Sequence, residues 1–123
     1  MPIHQLENII EIEKLKPLLK NSKLDQWVTW DETKRISNIN KHQLDFADTY
    51  LVFETDTFTF EDKRIAYHEQ RFVTLGILNG NVVVVVHTET ENEIRVISLR
   101  KATQNEQKLY FSRIGWFWRI PRN

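Results

Sequence analysis

Arg100 and Lys101 stand side by side where the stretch EIRVISLRK ends, with Arg95 a few residues upstream. A strand apolar enough to carry Ile94, Val96, Ile97 and Leu99 thus finishes on two adjacent cations. Strand ends reach water, where such charges cost little, but they can also reach a phosphate. Arginine suits that task, because its planar fork binds phosphate oxygens bidentately and stays charged. Arg71, Lys63, Arg64 and Lys41 are further cations near predicted strand or helix ends. Three residues could move a proton: His42, Glu69 and Tyr110. Each also has a plainer role. His42 fits a helix C-terminal cation, Glu69 a solvated loop carboxylate, and Tyr110 a polar-tipped packing residue. Taken singly, each arginine pairs as naturally with a carboxylate such as Glu61, Asp62 or Glu69. His4, His68 and His87 say less, His87 merely ending a run of valines. No two histidines show ligand spacing with a carboxylate, so neither a metal nor any other cofactor is expected.

The elements that must position these residues read out in order. Leu6, Ile9, Ile10 and Glu13 recur at helical spacing, and Pro17 can open a second short helix, so residues 1–26 form a helical N-terminal extension. A short strand, Trp27 to Trp30, feeds a helix capped by Asp31 or by a Thr29–Glu32 capping box. In that helix Ile36 and Ile39 point one way, and Lys34, Arg35 and Lys41 form a basic flank. Asp45 caps a second helical segment with Phe46, Tyr50 and Phe53 at i, i+4 and i+7. The period then changes to two. Phe58 and Phe60 share one face of a strand, and three more strands fill residues 71–101. Asn79-Gly80 predicts a type I′ hairpin, because both residues tolerate positive φ. Val82 to Val86 reads as a strand covered on both faces. Thr103, with Glu106 at the capping-box position, opens a last helix. Strict alternation puts Ile94, Val96, Ser98 and Arg100 on one face of the last strand, and Arg95, Ile97, Leu99 and Lys101 on the other. Arg71 shares the face of Val73 and Leu75. The fold class is α+β, helices against an antiparallel sheet.

Composition bounds the rest. A chain of 123 residues fits one core domain, here residues 27–114, followed by a tail, residues 115–123. The tail packs Trp116, Phe117 and Trp118 between arginines, a composition of interfaces or core more than of base stacking. Seventeen Lys and Arg balance seventeen Asp and Glu, so no global basicity announces a nucleic-acid binder, and distribution must carry any such role. Cysteine is absent, which suits a reducing cytosol. No signal-peptide or membrane-spanning run is present, so a cytoplasmic location without membrane contact is expected. No Gly-rich phosphate loop and no nucleophile elbow is found.

The segments WDETKRISNINKHQLDFADTYLVFE, DKR, EQRFVTLG and IRVISLRKATQNEQKLYF together resemble the BrnT family, in order and over roughly residues 27–111. The resemblance implies a RelE-like fold and a toxin of a type II toxin–antitoxin pair that cuts RNA. Two positions depart from the pattern. Gln43 stands where the family usually has Gly after the Lys-His pair, and Gln70 separates Glu69 from Arg71. Metal-free RNA cleavage needs a base for the 2′-hydroxyl, cations for the phosphorane and an acid for the 5′-oxygen. The resemblance assigns these tasks to Arg100, Arg71, Arg95, His42 and Glu69, with Lys101, Lys63, Arg64, Lys41 and Tyr110 binding RNA. It implies a small DNA-binding, BrnA-like antitoxin as partner, with operator DNA reached only through that antitoxin. The competing reading is a catalytically weak module that binds antitoxin or nucleic acid in autoregulation.

Overall fold

Among the described residues five strands and three helices follow one another in the predicted order. In this computed structural model residues 26–64 and 68–115 are described. The strands are β1 (Trp27–Trp30), β2 (Phe58–Glu61), β3 (Phe72–Leu78), β4 (Asn81–Glu89) and β5 (Glu93–Lys101). The helices are α1 (Glu32–His42), α2 (Thr49–Phe53) and α3 (Gln104–Ile114), with a 3-10 turn, Phe46–Asp48, leading into α2. The expected N-terminal helices and the aromatic tail from Trp116 lie outside the described residues. No helix among the described residues is long and apolar enough to cross a membrane.

The sheet runs β1-β5-β4-β3-β2 and is antiparallel except at one edge, where β1 pairs with β5 in parallel. This corrects the all-antiparallel expectation. Short hairpins force β3, β4 and β5 to alternate in direction, whereas β1 is joined through a long helical connection that leaves the direction free. The helices also divide between faces. Val28, Phe46, Phe53, Val83, Val85, Ile94, Val96 and Leu99 build the core beneath α1 and α2. Val73, Leu75, Val82, Val84 and Tyr110 build a second core beneath α3. Val82 to Val85 are buried, as a strand covered on both faces must be. Gly76 lets α2 approach β3, since a Cβ there would lie 2.6 Å from Val52 Cγ1.

Local signals hold well. Asn79 and Gly80 take φ of 50° and 79° in the hairpin. Thr103 Oγ1 accepts from the Glu106 amide at 3.2 Å, and Glu106 Oε1 accepts from the Thr103 amide at 2.8 Å. Asp31 caps α1, accepting from the Lys34 amide at 3.1 Å, while the Thr29 hydroxyl donates to Glu93 instead. Gln43 itself adopts the left-handed conformation, φ 57°, that closes α1. For a residue with a Cβ this costs on the order of 1 kcal/mol.

Helix α1 departs from its expected facing. Ile36 is half exposed, and Asn38 is the buried residue. The Asn38 amide group donates to the carbonyls of Leu99 (2.8 Å) and Leu44 (3.0 Å) and accepts from the Leu99 amide (3.2 Å). Arg35 is no free basic flank either. Its guanidinium donates twice to Asp45, at 2.8 and 3.0 Å, and holds that carboxyl below the usual range.

Candidate functional site

Strict alternation fails on β5 at one residue, and the failure gathers the arginines. His87 pairs with Val96 but Val86 pairs with Ser98, so Ile97 is an extra residue in a bulge. A bulge shifts the side-chain phase of everything beyond it. Ile94, Val96 and Leu99 therefore all enter the core beneath α1 and α2. Arg95, Ser98 and Arg100, paired with Thr88, Val86 and Val84, face the opposite side with α3. This corrects the assignment of Arg95 and Arg100 to opposite faces. Arg71, one position before the Phe72–His87 pair, falls by alternation on the side of Val73 and Leu75, which is again the α3 side. Arg71, Thr88 and Arg95 thus form one row across β3, β4 and β5, with Arg71 and Arg95 about 10 Å apart at the backbone.

The charges in this row differ in freedom. Arg95 is exposed, and its side chain makes no hydrogen bond or ion pair among the described residues. Arg71 is half-buried, with Nη2 3.9 Å from the Glu69 carboxylate. Arg100 is held bidentately by Glu106, at 2.7 and 2.9 Å, which draws that carboxyl down to about 2. The Arg64 charge lies close enough to oppose that of Arg100. Arg64 itself is exposed and pairs with the buried Asp62 at 3.0 Å, and Lys63 reaches Glu61 at 4.0 Å.

A second group meets on the other side of the same strand end. Lys41, His42, Arg100 and Lys101 all line a cavity of about 610 Å³ between the end of α1, the β3–β4 hairpin and the start of α3. Neither Lys41 nor Lys101 makes an ion pair among the described residues. Arg71, Arg95 and Glu69 do not line this cavity. Along β5, Arg95 and Arg100 are roughly 15 Å apart at about 3.3 Å per residue. Tyr110 is buried, and its hydroxyl donates to the Asp56 carbonyl at 2.6 Å, the packing role weighed for it above. Among the described residues no three His, Asp or Glu side chains are grouped as metal ligands.

His87 is the residue that the sequence reading missed. It is fully buried between Phe53 and Phe72, its Nε2 2.7 Å from the Thr74 hydroxyl, which in turn meets Thr59 at 2.7 Å. Its Nδ1 lies 3.4 Å from Glu89. The polar residue closing an apolar run was the only hint. Burial pushes the imidazole down to about 4. The unfolded chain, with an ordinary value near 6.5, then binds more protons below that pH, so stability is full above it and falls toward pH 4. Between pH 7 and 5 the loss should be about 2 kcal/mol. Urea unfolding at both pH values measures it, and His87→Gln should remove most of the slope. An equal slope in that variant would place the sensitivity elsewhere.

A model of the BrnT family, described as the ribonuclease toxin of type II toxin–antitoxin systems, matches residues 30–106. No curated protein matches the chain. The matched span holds every residue of both cation groups.

Proposed function

Because the chain belongs to the BrnT family of ribonuclease toxins of type II toxin–antitoxin systems, we propose that it is a metal-independent endoribonuclease on a RelE-like fold. The observation that carries this reading is the bulge at Ile97, which brings Arg95 and Arg100 together on the face of the sheet where Arg71 falls by alternation. Glu69, beside Arg71, takes the proton of a 2′-hydroxyl, and the 2′-oxygen attacks the adjacent phosphorus. Arg71 and Arg95 stabilise the charge that develops on the phosphorane oxygens. The P–O5′ bond breaks, and the leaving oxygen takes a proton from solvent. The products are a 2′,3′-cyclic phosphate and a 5′-hydroxyl. Lys63 and Arg64 guide the backbone toward this face, and Arg100, clamped by Glu106, sets its far end. Residues 27–114 are the working domain, and cleavage inhibits translation and growth in the cytoplasm.

A family of this kind implies an antitoxin partner and an RNA substrate. The antitoxin in this reading is small, DNA-binding and BrnA-like. It covers the arginine face with acidic or amphipathic chain, neutralising charge and blocking RNA together, and it alone carries the complex to operator DNA.

Incubating the purified chain with RNA in excess chelator tests the chemistry. Full activity is expected, with fragments ending in cyclic phosphate. Strict Mg²⁺ dependence, or 3′-hydroxyl ends, would overturn it. Expression without a partner should stop growth; a chain that binds its antitoxin yet neither cuts RNA nor slows growth is the binding module instead.

A further inference from the structure

The cavity behind Lys101 is not accounted for by phosphate chemistry on the arginine face. Its volume falls within the roughly 300–1,000 Å³ typical of small-molecule sites. Its lining includes the apolar side chains Leu44, Leu78 and Val83. Its wall carries two carboxamides. Gln43 uses its Nε2 on the Asn40 carbonyl and Asn81 its Nδ2 on the Asn79 carbonyl, and the two Oδ1/Oε1 acceptors are left without a partner among the described residues. The His42 ring adds a flat surface to the lining, and Lys41, Arg100 and Lys101 add positive charge. No carboxylate lines the cavity among the described residues, in a chain whose acidic and basic side chains are equal in number.

A flat, apolar-faced ligand with hydrogen-bonding edges and an attached anion fits this combination. Single-stranded RNA offers it in an unstacked nucleotide, because bases are read by stacking on rings and by hydrogen bonds to their edges. We propose that the cavity is a base-recognition subsite. It receives one unpaired nucleotide a few positions from the bond cut on the arginine face, with Lys41 and Lys101 on its phosphate. This rests on the ribonuclease reading above and adds the origin of sequence preference. Arg100 and Lys101 are adjacent on β5 and both line the cavity, and Arg100 also belongs to the arginine face, so a strand crossing the end of β5 passes from that face into the cavity. The free acceptors Gln43 and Asn81 favour bases with an exocyclic amino group, which places uracil last.

The test uses 2′-O-methyl RNA hexamers, which cannot be cut by 2′-hydroxyl attack, differing in the base at one position. Fluorescence anisotropy with the full chain should rank uracil weakest at one position by about 10-fold. Asn81→Ala should flatten that ranking, and Lys41→Glu with Lys101→Glu should weaken all hexamers at least 10-fold at unchanged melting temperature. Arg95→Ala, which removes cleavage, should keep the ranking, so that a failed subsite and a failed nuclease give different results. Equal binding of all four bases, or an affinity indifferent to Lys41 and Lys101, overturns the proposal. The second of these outcomes is the one expected if the cavity instead receives the antitoxin.

Discussion

Arg95→Ala is expected to lower RNA cleavage by about 10²–10³-fold, the loss typical of removing one preorganised stabiliser of developing charge, while the protein should melt where the parent does. The second half follows from its surroundings. Arg95 is exposed and its side chain is unpaired among the described residues, so its removal breaks no hydrogen bond or ion pair there, and substitutions of that kind usually change stability by less than about 0.5 kcal/mol. Arg95→Lys should recover only part of the rate, because an ammonium keeps the charge but loses the bidentate fork. Arg71→Ala should resemble Arg95→Ala, with a further loss from freeing Glu69, which Arg71 faces at 3.9 Å. Arg100→Ala must behave differently. It deprives Glu106 of its partner, and Glu106 also closes the capping box of α3, so activity and melting temperature should fall together. Rates on a defined RNA and melting curves for all three variants decide the matter. Parental cleavage by Arg95→Ala would remove it from the catalytic machinery.

The largest loss of stability should come from Asn38→Ala. One buried carboxamide ties α1 to β5, making three hydrogen bonds to the backbone of Leu99 and Leu44. The alanine leaves the Leu99 amide and carbonyl without that partner in a region water does not reach, and each orphaned buried group costs about 1–3 kcal/mol. About 3 kcal/mol in all is expected, or a fall in melting temperature of roughly 10 °C for a domain of this size. Asn38→Leu should do no better, since an apolar side chain satisfies neither group. Asn38 also fixes the distance between α1, which ends in Lys41 and His42, and β5, which carries Arg95 to Lys101. RNA affinity should therefore drop even where the variant is still folded. A melting temperature within two or three degrees of the parent (about 1 kcal/mol or less) would show that solvent replaces the amide.

Most of the fold is legible in the sequence because its signals are local. The Thr103–Glu106 capping box, the Asn79-Gly80 turn and the valine run each depend on residues within a few positions of one another. The pieces that escaped depend on a partner strand. Nothing in EIRVISLRK announces that Ile97 is surplus, since the bulge exists only relative to the spacing of β4, and that single residue decides which face Arg100 shares. Asn38 sits between Ile36 and Ile39 and reads as an interruption of an apolar stripe, until β5 supplies the backbone it bonds. His87 looked like a strand end because Phe53 and Phe72, which bury it, come from two other elements. The candidate cations were visible as residue types. Their division into an arginine face and a lysine-rimmed cavity was not.

The parallel edge has a consequence in time. Gln26, just before β1, donates to the Thr90 carbonyl 64 residues downstream, and Trp27 to Trp30 pair with Glu93 to Val96. The first of the described strands to be synthesised is thus the one with no neighbour until almost the whole domain exists. The hairpin-linked strands β3, β4 and β5 close short loops and can assemble early, whereas joining β1 to β5 closes the longest loop in the sheet and should come later. A nascent or prematurely ended chain that stops before residue 93 offers β1 no edge and lacks Arg95, Arg100 and Lys101 altogether. If those cations serve RNA as proposed above, a product ended before residue 93 should be inert.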